Sequence, residues 1–325
     1  MVYIILLNWN GWRDTIHCLE SIFRSDYSRY RVIVCDNASS DDSMEKIKAW
    51  ADGNNNSNDT LNTTLNPLIL PPVKKPLPYI ELHKDHIDKK DDPDNLTTPL
   101  VLIQNGSNNG YSAGNNPGIR FALNNHAEYI WLLNNDTVIK TDTIAQLVEH
   151  MKKNPGTGLL GTAIYFAANP SELQTMGGGM INSFTGLDRF AHSSTGLDYV
   201  AGTSLFIRRE VLEQVGLLDE SFFFYWEDVD FSRRALKKGW KLSVAENAVV
   251  YHKFSASVGS SSLKSDLFKV ESLTRYFKKH QKIRWVLPVT VTITGMIVKR
   301  LIRKQCDRVL PILKVAVKAA VSGLH

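Results

Sequence analysis

The chain has 325 residues, 43% hydrophobic and 22% charged, with a net charge of +5. That is ordinary globular composition for about two domain-equivalents, and it excludes a disordered or fibrous chain. Residues 278–325 hold eleven Lys or Arg and one acid (Asp307), a net of +10, so the first 277 residues carry −5; basic character confined to a tail argues against nucleic-acid binding, which spreads positive charge over a folded face.

In chain order, the apolar runs Val2–Leu7, Arg31–Cys35, Leu100–Ile103 and Tyr129–Leu133 predict buried strands. Val2–Leu7 has no basic residue before it and is too short for a secretory signal. Helical patterns near 12–25, 41–51, 114–125 and 142–153 alternate with these runs, which predicts βαβ units, a mostly parallel sheet and helices on both faces. Residues 53–99 interrupt the pattern with seven of the twelve prolines and read as a flexible insertion between the second helix and the third strand. After 155, Gly177 to Gly179, Gly186, Gly196 and Gly202 punctuate short segments, as expected of antiparallel strands and loops over the sheet's ligand end. Helices return at 209–215, 228–238 and 264–280.

The run Trp285–Val298 is 14 residues, short of the ~20 needed to span a bilayer. Beyond it, Lys299, Arg300, Arg303, Lys304, Arg308, Lys314 and Lys318 interleave with Leu, Ile and Val. This basic amphipathic pattern suits an anionic membrane surface, or a helix packing its apolar stripe on the domain or in a dimer. Cys18, Cys35 and Cys306 form neither a disulfide framework nor a CxxC site and point to a reducing compartment.

The sequence lacks GxGxxG after the first strand, GxxxxGK[ST] and HExxH, which disfavours a dinucleotide oxidoreductase or a P-loop ATPase. Ligands of parallel sheets bind at the strands' carboxyl ends, and four polar clusters stand there. Asp36 to Asp41 follows the second strand and could contact a nucleotide or simply cap a turn. Asn134-Asn135-Asp136 ends another strand, and its carboxylate suits Mg²⁺ or Mn²⁺ or, again, a turn. Glu227, Asp228 and Asp230 would satisfy a helix N-terminus, yet they follow Phe222–Trp226, an aromatic run suited to stacking on a sugar beside a general base. His252 closes an apolar run as a structural histidine or a metal partner.

In their order and spacing these clusters resemble family 2 glycosyltransferases of the GT-A fold, particularly the rhamnosyltransferase-like branch. The matching stretches are Leu7 to Gly11, Cys35 to Ser39, Asn109 to Gly118, Leu132 to Asp136, Gly202-Thr203 leading to Ile207-Arg208-Arg209, Phe223 to Asp230, and Tyr251-His252. The resemblance covers roughly 2–258 without 53–99. It implies a glycosyltransferase domain at 1–280, its nucleotide-binding half 1–136 and acceptor-binding half 137–280, followed by a basic amphipathic helical tail at 281–325.

The resemblance also implies roles. Asp36 and Asn37 would contact the donor nucleotide, with Asn8, Asn10 and Gly11 lining the same pocket. Asn109, Gly110, Gly114 and Asn115 would lie along it, and Asn135 beside it. Asp136 and His252 would hold Mn²⁺ or Mg²⁺, in a motif where Asn134 replaces the first Asp. Asp228 would be the base, paired with Glu227, and Gly202, Thr203, Tyr225 and Trp226 would face the acceptor. The implied reaction is inverting transfer from dTDP-rhamnose or a UDP-hexose to a hydroxyl of a saccharide or lipid-linked saccharide in cell-surface polysaccharide synthesis. The enzyme would be cytoplasmic, peripheral at the inner face of the plasma membrane. The competing readings are a sugar nucleotidyltransferase, which would release pyrophosphate, and a non-catalytic carbohydrate or membrane-surface binding protein.

Overall fold

The structure is a computed structural model that describes residues 1–54, 61, 64–87, 98–253 and 262–322. Strands β1 (Val2–Asn8), β2 (Tyr30–Asp36), β3 (Tyr79–His83), β4 (Leu100–Gln104) and β5 (Tyr129–Asn134) alternate with helices α1 (Trp12–Ile22), α2 (Ser43–Ala51) and α3 (Gly110–Asn124). Then follow β6 (Thr137–Ile139), α4 (Thr143–Lys153), β7 (Thr157–Phe166), β8 (Leu173–Met176), β9 (Gly178–Ile181), β10 (Asp188–Phe190), β11 (Tyr199–Val200) and β12 (Ser204–Arg208). Helices α5 (Arg209–Val215) and α6 (Glu227–Lys237), strand β13 (Lys241–His252), and helices α7 (Leu263–Gln281), α8 (Val286–Ile302) and α9 (Val309–Val321) complete the chain.

The main sheet runs β3-β4-β2-β1-β5-β12-β7-β13-β6, with β8 on β7. It is parallel from β3 through β5, and β12 enters antiparallel between β5 and β7. Alternation along β1 divides the core. Val2, Ile4 and Leu6 pack with Leu19 of α1, Ile47 of α2 and Leu147 of α4. Tyr3 and Ile5 pack on the other face with Ile119 of α3, Val211 of α5 and Phe231 of α6. Each such fully buried aliphatic side chain contributes about 1.5–3 kcal/mol. Both faces are therefore covered, as a parallel sheet requires.

Two expectations need correction. The stretch 53–99 contains a strand: β3 pairs parallel with β4 at the sheet's edge. The intervening chain is tied down by Glu20, which is buried on α1 and accepts hydrogen bonds from Val73 N (2.7 Å), Trp50 Nε1 (2.8 Å) and Lys75 Nζ (3.2 Å). The flexible reading therefore fails for 64–87; residues 55–60, 62–63 and 88–97 lie outside the described residues.

The tail, in turn, does not present all its cations outward. Buried Asp266 of α7 binds Arg300 of α8 (2.5 Å) and Arg308 (3.5 Å), and Lys278 donates to the carbonyls of Ala319, Ala320 and Ser322. Val289, Ile293 and Ile312 of α8 and α9 pack against Val270, Leu273 and Phe277 of α7. The helical run Leu263–Ile302 holds an 18-residue window of mean hydropathy 1.5, long and apolar enough by composition to cross a membrane. Counting Trp285–Val298 alone understates it.

Candidate active site

The turns after β1 and β2 are locked together by hydrogen bonds. Asn8 Nδ2 donates to Asp36 Oδ1 (2.7 Å), and Ser39 donates its N–H to Asp36 Oδ2 (2.9 Å) and its hydroxyl to Oδ1 (2.6 Å). Asn10, in the left-handed region at φ +52°, accepts from Ser40 N (2.7 Å). Thr15 donates to Asn8 Oδ1 (2.9 Å) and accepts from Asn135 Nδ2 (2.9 Å). Asp36 is 2% exposed and its oxygens are engaged, so its carboxylate organises the turn. The groups left facing outward are Asn10 and the indole of Trp9. Asn135 braces this turn and Gly11 packs on it, a Cβ there lying 3.0 Å from Asn135 Nδ2.

Asn37 links this turn to α3. It accepts from Asn105 Nδ2 (2.7 Å) and donates to Gly110 O (3.2 Å). Residues Asn109 to Gly118 are mostly the first two turns of α3, which starts at Gly110, four residues before the helix expected from 114. Gly114 lets that helix sit on the sheet, since a Cβ would lie 2.6 Å from Leu7 and 2.7 Å from Asn37. Asn115 turns inward and bonds Tyr111 O (2.9 Å), so it serves the helix, and exposed Asn109 bonds Ser107 (2.9 Å). Gly110 has φ +92°, and a Cβ there would stand 2.2 Å from Phe223 O. Only glycine meets both demands.

Asp136, after β5, and His252, ending β13, converge: Oδ1 lies 3.2 Å from Nε2, and both residues are buried. Gln174 Oε1, an acceptor, lies 3.0 Å from His252 Nδ1, which therefore carries the proton. Nε2 thus faces the carboxylate, an arrangement met either by an N–H donating from Nε2 or by a divalent metal with oxygen and imidazole ligands. No cluster of three such side chains occurs among the described residues, so remaining ligands would come from a substrate or water. Lys253 beside this pair is bound to Asp14.

The chain reaches α6 through Tyr225 (φ +69°) and Trp226 (φ +68°). Two consecutive left-handed side-chain-bearing residues cost of order 1–3 kcal/mol each and mark a site where geometry outweighs local stability. The turn delivers Glu227 and Asp228 under the strand ends. Asp228 Oδ2 accepts from Gly202 N (2.8 Å) and Oδ1 from Val229 N (2.8 Å). Burial, aided by the charge of Asp188, raises its pKa despite those N–H groups. Glu227 is buried with Oε2 unpartnered, and burial together with the neighbouring Asp228 drives its pKa up further. Tyr111 joins the halves: its N donates to Phe223 O (2.7 Å) and its hydroxyl to Gly202 O (2.8 Å). Thr203 O accepts from Asn134 N (3.0 Å), tying the same loop to β5.

A model of the glycosyl transferase family group 2 matches residues 129–321, more than half of the chain. The chain belongs to glycosyl transferase family group 2. It is 30% identical over 147 residues to the low-salt glycan biosynthesis hexosyltransferase Agl10 of Haloferax volcanii, covering 43% of this chain and 47% of that protein. It is 28% identical over 113 residues to the N-acetylglucosaminyl-diphospho-decaprenol L-rhamnosyltransferase of Mycobacterium tuberculosis, covering 35% and 37%. The matches thus span about half or less of these relatives.

The fold is GT-A. It superposes on the mannosyltransferase PcManGT from Pyrobaculum calidifontis, solved with GDP-Man and Mn²⁺, at TM-score 0.55 and 15% identity over 98% of this chain and 87% of that one. Against GalNAc-T7, solved with UDP, GalNAc and Mn²⁺, the values are 0.58 and 14% over 87% and 48%.

In this glycosyl transferase chain the aromatic run is not one open platform. Phe222 and Trp226 are buried, Trp226 against Tyr276 (5.0 Å) and Phe277 (5.6 Å) of α7, so Trp226 cannot stack on a sugar as arranged. Tyr225 is half-buried, hydrogen-bonded to Ser265 (3.0 Å), with Lys269 Nζ 4.9 Å from its ring centre. Phe223 stacks on Phe268 at 4.7 Å and stays exposed. Sequence reasoning missed Thr15, Ser39, Asn105, Tyr111 and Gln174 as supports. Ser39 and Tyr111 carried a signal, inside the Cys35 to Ser39 and Asn109 to Gly118 stretches.

Proposed function

We propose that the protein is an inverting, metal-dependent glycosyltransferase that moves a sugar from a nucleotide-diphosphate donor to a hydroxyl of a saccharide or lipid-linked saccharide. The observation that carries this is Asp228, a carboxylate of raised pKa held by two backbone N–H groups where the donor-side helix α3 meets the Gly202 loop. A general base must lie within hydrogen-bond reach of its proton and be basic enough to take it. Asp228 removes the acceptor hydroxyl proton, the oxygen bonds to the anomeric carbon, and the bond to the diphosphate oxygen breaks with its electron pair leaving on the nucleoside diphosphate.

The two turns around Asn8, Asp36 and Asn135 would hold the nucleotide, with Asn10 and Trp9 as its outward groups. Mn²⁺ or Mg²⁺ held by Asp136 and His252 would neutralise charge on the departing diphosphate. Tyr225 and Phe223 flank the acceptor side. Resemblance supports dTDP-rhamnose or a UDP-hexose as donor, and the basic tail supports an acceptor met at the inner face of the plasma membrane by a cytoplasmic, peripheral enzyme.

Calorimetric titration of UDP, dTDP and GDP, each with and without Mn²⁺, tests the donor half. Metal-dependent binding of one nucleotide is expected, and no binding by folded protein would sink the reading. Release of pyrophosphate in place of nucleoside diphosphate would turn it into a nucleotidyltransferase.

A further inference from the structure

The antiparallel hairpin β9–β10 ends in a tip, 182–187, that lies on α8. Gln281 Nε2 donates to Ser183 O (3.1 Å) and Thr292 Oγ1 to Thr185 O (2.8 Å). Gly186 (φ +72°) makes the approach possible, since a Cβ there would stand 2.5 Å from Thr292 Oγ1 and 2.7 Å from Pro288 O. Held in this way, the tip points Phe184 (69% exposed) and Leu187 (57%) into solvent. Beside it, Ile283 is 89% exposed, and Leu287, Val291, Val298 and Leu301 form an outward stripe on α8 opposite buried Val289 and Ile293. Exposed apolar surface of this extent on two adjoining elements marks an interaction site.

The flanking charge defines the occupant. Four of the eleven tail cations are committed inside the protein: Lys278 to carbonyls, Lys279 to Asp219 and Asp230, and Arg300 and Arg308 to Asp266. The other seven (Lys282, Arg284, Lys299, Arg303, Lys304, Lys314, Lys318) are exposed, and none pairs with an acid among the described residues. Apolar side chains rimmed by unpaired cations complement an anionic lipid surface, with Lys and Arg reaching headgroups while the apolar stripe enters the acyl boundary.

We propose that the Phe184/Leu187 hairpin tip and the outer stripe of α8 together seat the enzyme on an anionic bilayer, the hairpin being a membrane contact in its own right. The inference rests on the tail reading above and adds a second element to it. Its consequence is positional. The hairpin's β9 pairs with β11, which leads within two residues to Gly202 and its bond to Asp228, so the seat sets the acceptor side of the site at the membrane edge.

The test is co-sedimentation of the full chain with phosphatidylcholine vesicles, with and without phosphatidylglycerol. The wild type should bind the anionic vesicles preferentially. The Phe184→Ser/Leu187→Ser double variant should lose roughly tenfold or more of that binding, because two apolar side chains no longer enter lipid, with nucleotide binding unchanged. Wild-type-like binding by this variant, while Arg303→Glu/Lys304→Glu loses it, would overturn the hairpin's role and leave the tail reading standing. Absence of vesicle binding by the wild type would overturn both. If the hairpin variant instead dissolves a dimer and leaves vesicle binding intact, the occupant is a second copy and the proposal fails.

Discussion

Asp228 and Asp230 stand two residues apart on α6, and their surroundings push their acidity in opposite directions. Asp228 faces the Gly202 loop, where burial raises its pKa and only backbone N–H groups oppose it. Asp230 faces α7. Burial would raise it too, but hydrogen bonds from His280 (2.8 Å) and Lys279 and the charge of Arg234 (2.8 Å) prevail and hold it well below the usual carboxylate range. One helix thus carries the proposed base on one face and a structural carboxylate on the other. The sorting is done by cations from α7 and by Arg234 one turn along.

The largest expected effect is on the Asp228 face. Asp228→Asn keeps the shape and one oxygen that can accept from Gly202 N or Val229 N, turns the other oxygen into an amide that cannot accept, and removes the proposed base, so turnover should fall about 10²–10⁴-fold with nucleotide affinity retained. Steady-state kinetics beside calorimetry checks it, and near-wild-type turnover would remove the proposed base.

Next comes the structural face. Asp230→Asn leaves Lys279, His280 and Arg234 without their buried partner and should destabilise by about 3–5 kcal/mol, seen as a lowered denaturant midpoint. The wild-type pairing also has a pH signature. Because the folded pKa of Asp230 is depressed, its contribution is present above the ordinary carboxylate pKa and is lost as pH falls through the folded value. Acid unfolding of the wild type should show that loss and the variant should not.

Glu227 should do the reverse. Its folded pKa is raised, so its charge costs stability as pH rises above the ordinary carboxylate range. Glu227→Gln should therefore stabilise the protein by ~1–3 kcal/mol near neutrality, the cost of an unsatisfied buried polar group, with the gain vanishing at low pH. A melting-temperature series across pH reads this directly; an unchanged or lowered value at neutral pH would mean that the carboxylate is already neutralised. The smallest effect is in the pH profile. The acidic limb of kcat/KM should fall near pH 6, where Asp228 of the free enzyme protonates, above the range of an ordinary aspartate.

Much of the fold was legible because buried strands are short apolar runs and helices have a different period. Val2–Asn8, Tyr30–Asp36, Leu100–Gln104 and Tyr129–Asn134 all stand where those runs occur. The order of the polar stretches at the strand ends was likewise enough to suggest family and fold. β3 was missed because an edge strand is only half-buried: Tyr79-Ile80-Glu81-Leu82-His83 lies in a proline-rich stretch, and the Val73 and Lys75 that lead into it are held by Glu20, some fifty residues earlier. Sequence named Asp136 and His252 but not the Gln174 that fixes the imidazole, since hydrogen-bond partners 78 residues apart leave no local pattern.

The sequence determined which residues are apolar, which are charged and in what order they come, and hence the alternating sheet, the acidic turn at Glu227-Asp228 and the basic tail. Tertiary closure decided what each of them does. Trp226 became core because α7 packs over it, Asp36 was engaged by Asn8 and Ser39, and Asp228 and Asp230 were assigned opposite chemistry. Eleven tail cations were divided into inward anchors and an outward rim. A side chain's period along the chain is local, whereas its desolvation and its partners depend on which distant segment folds against it.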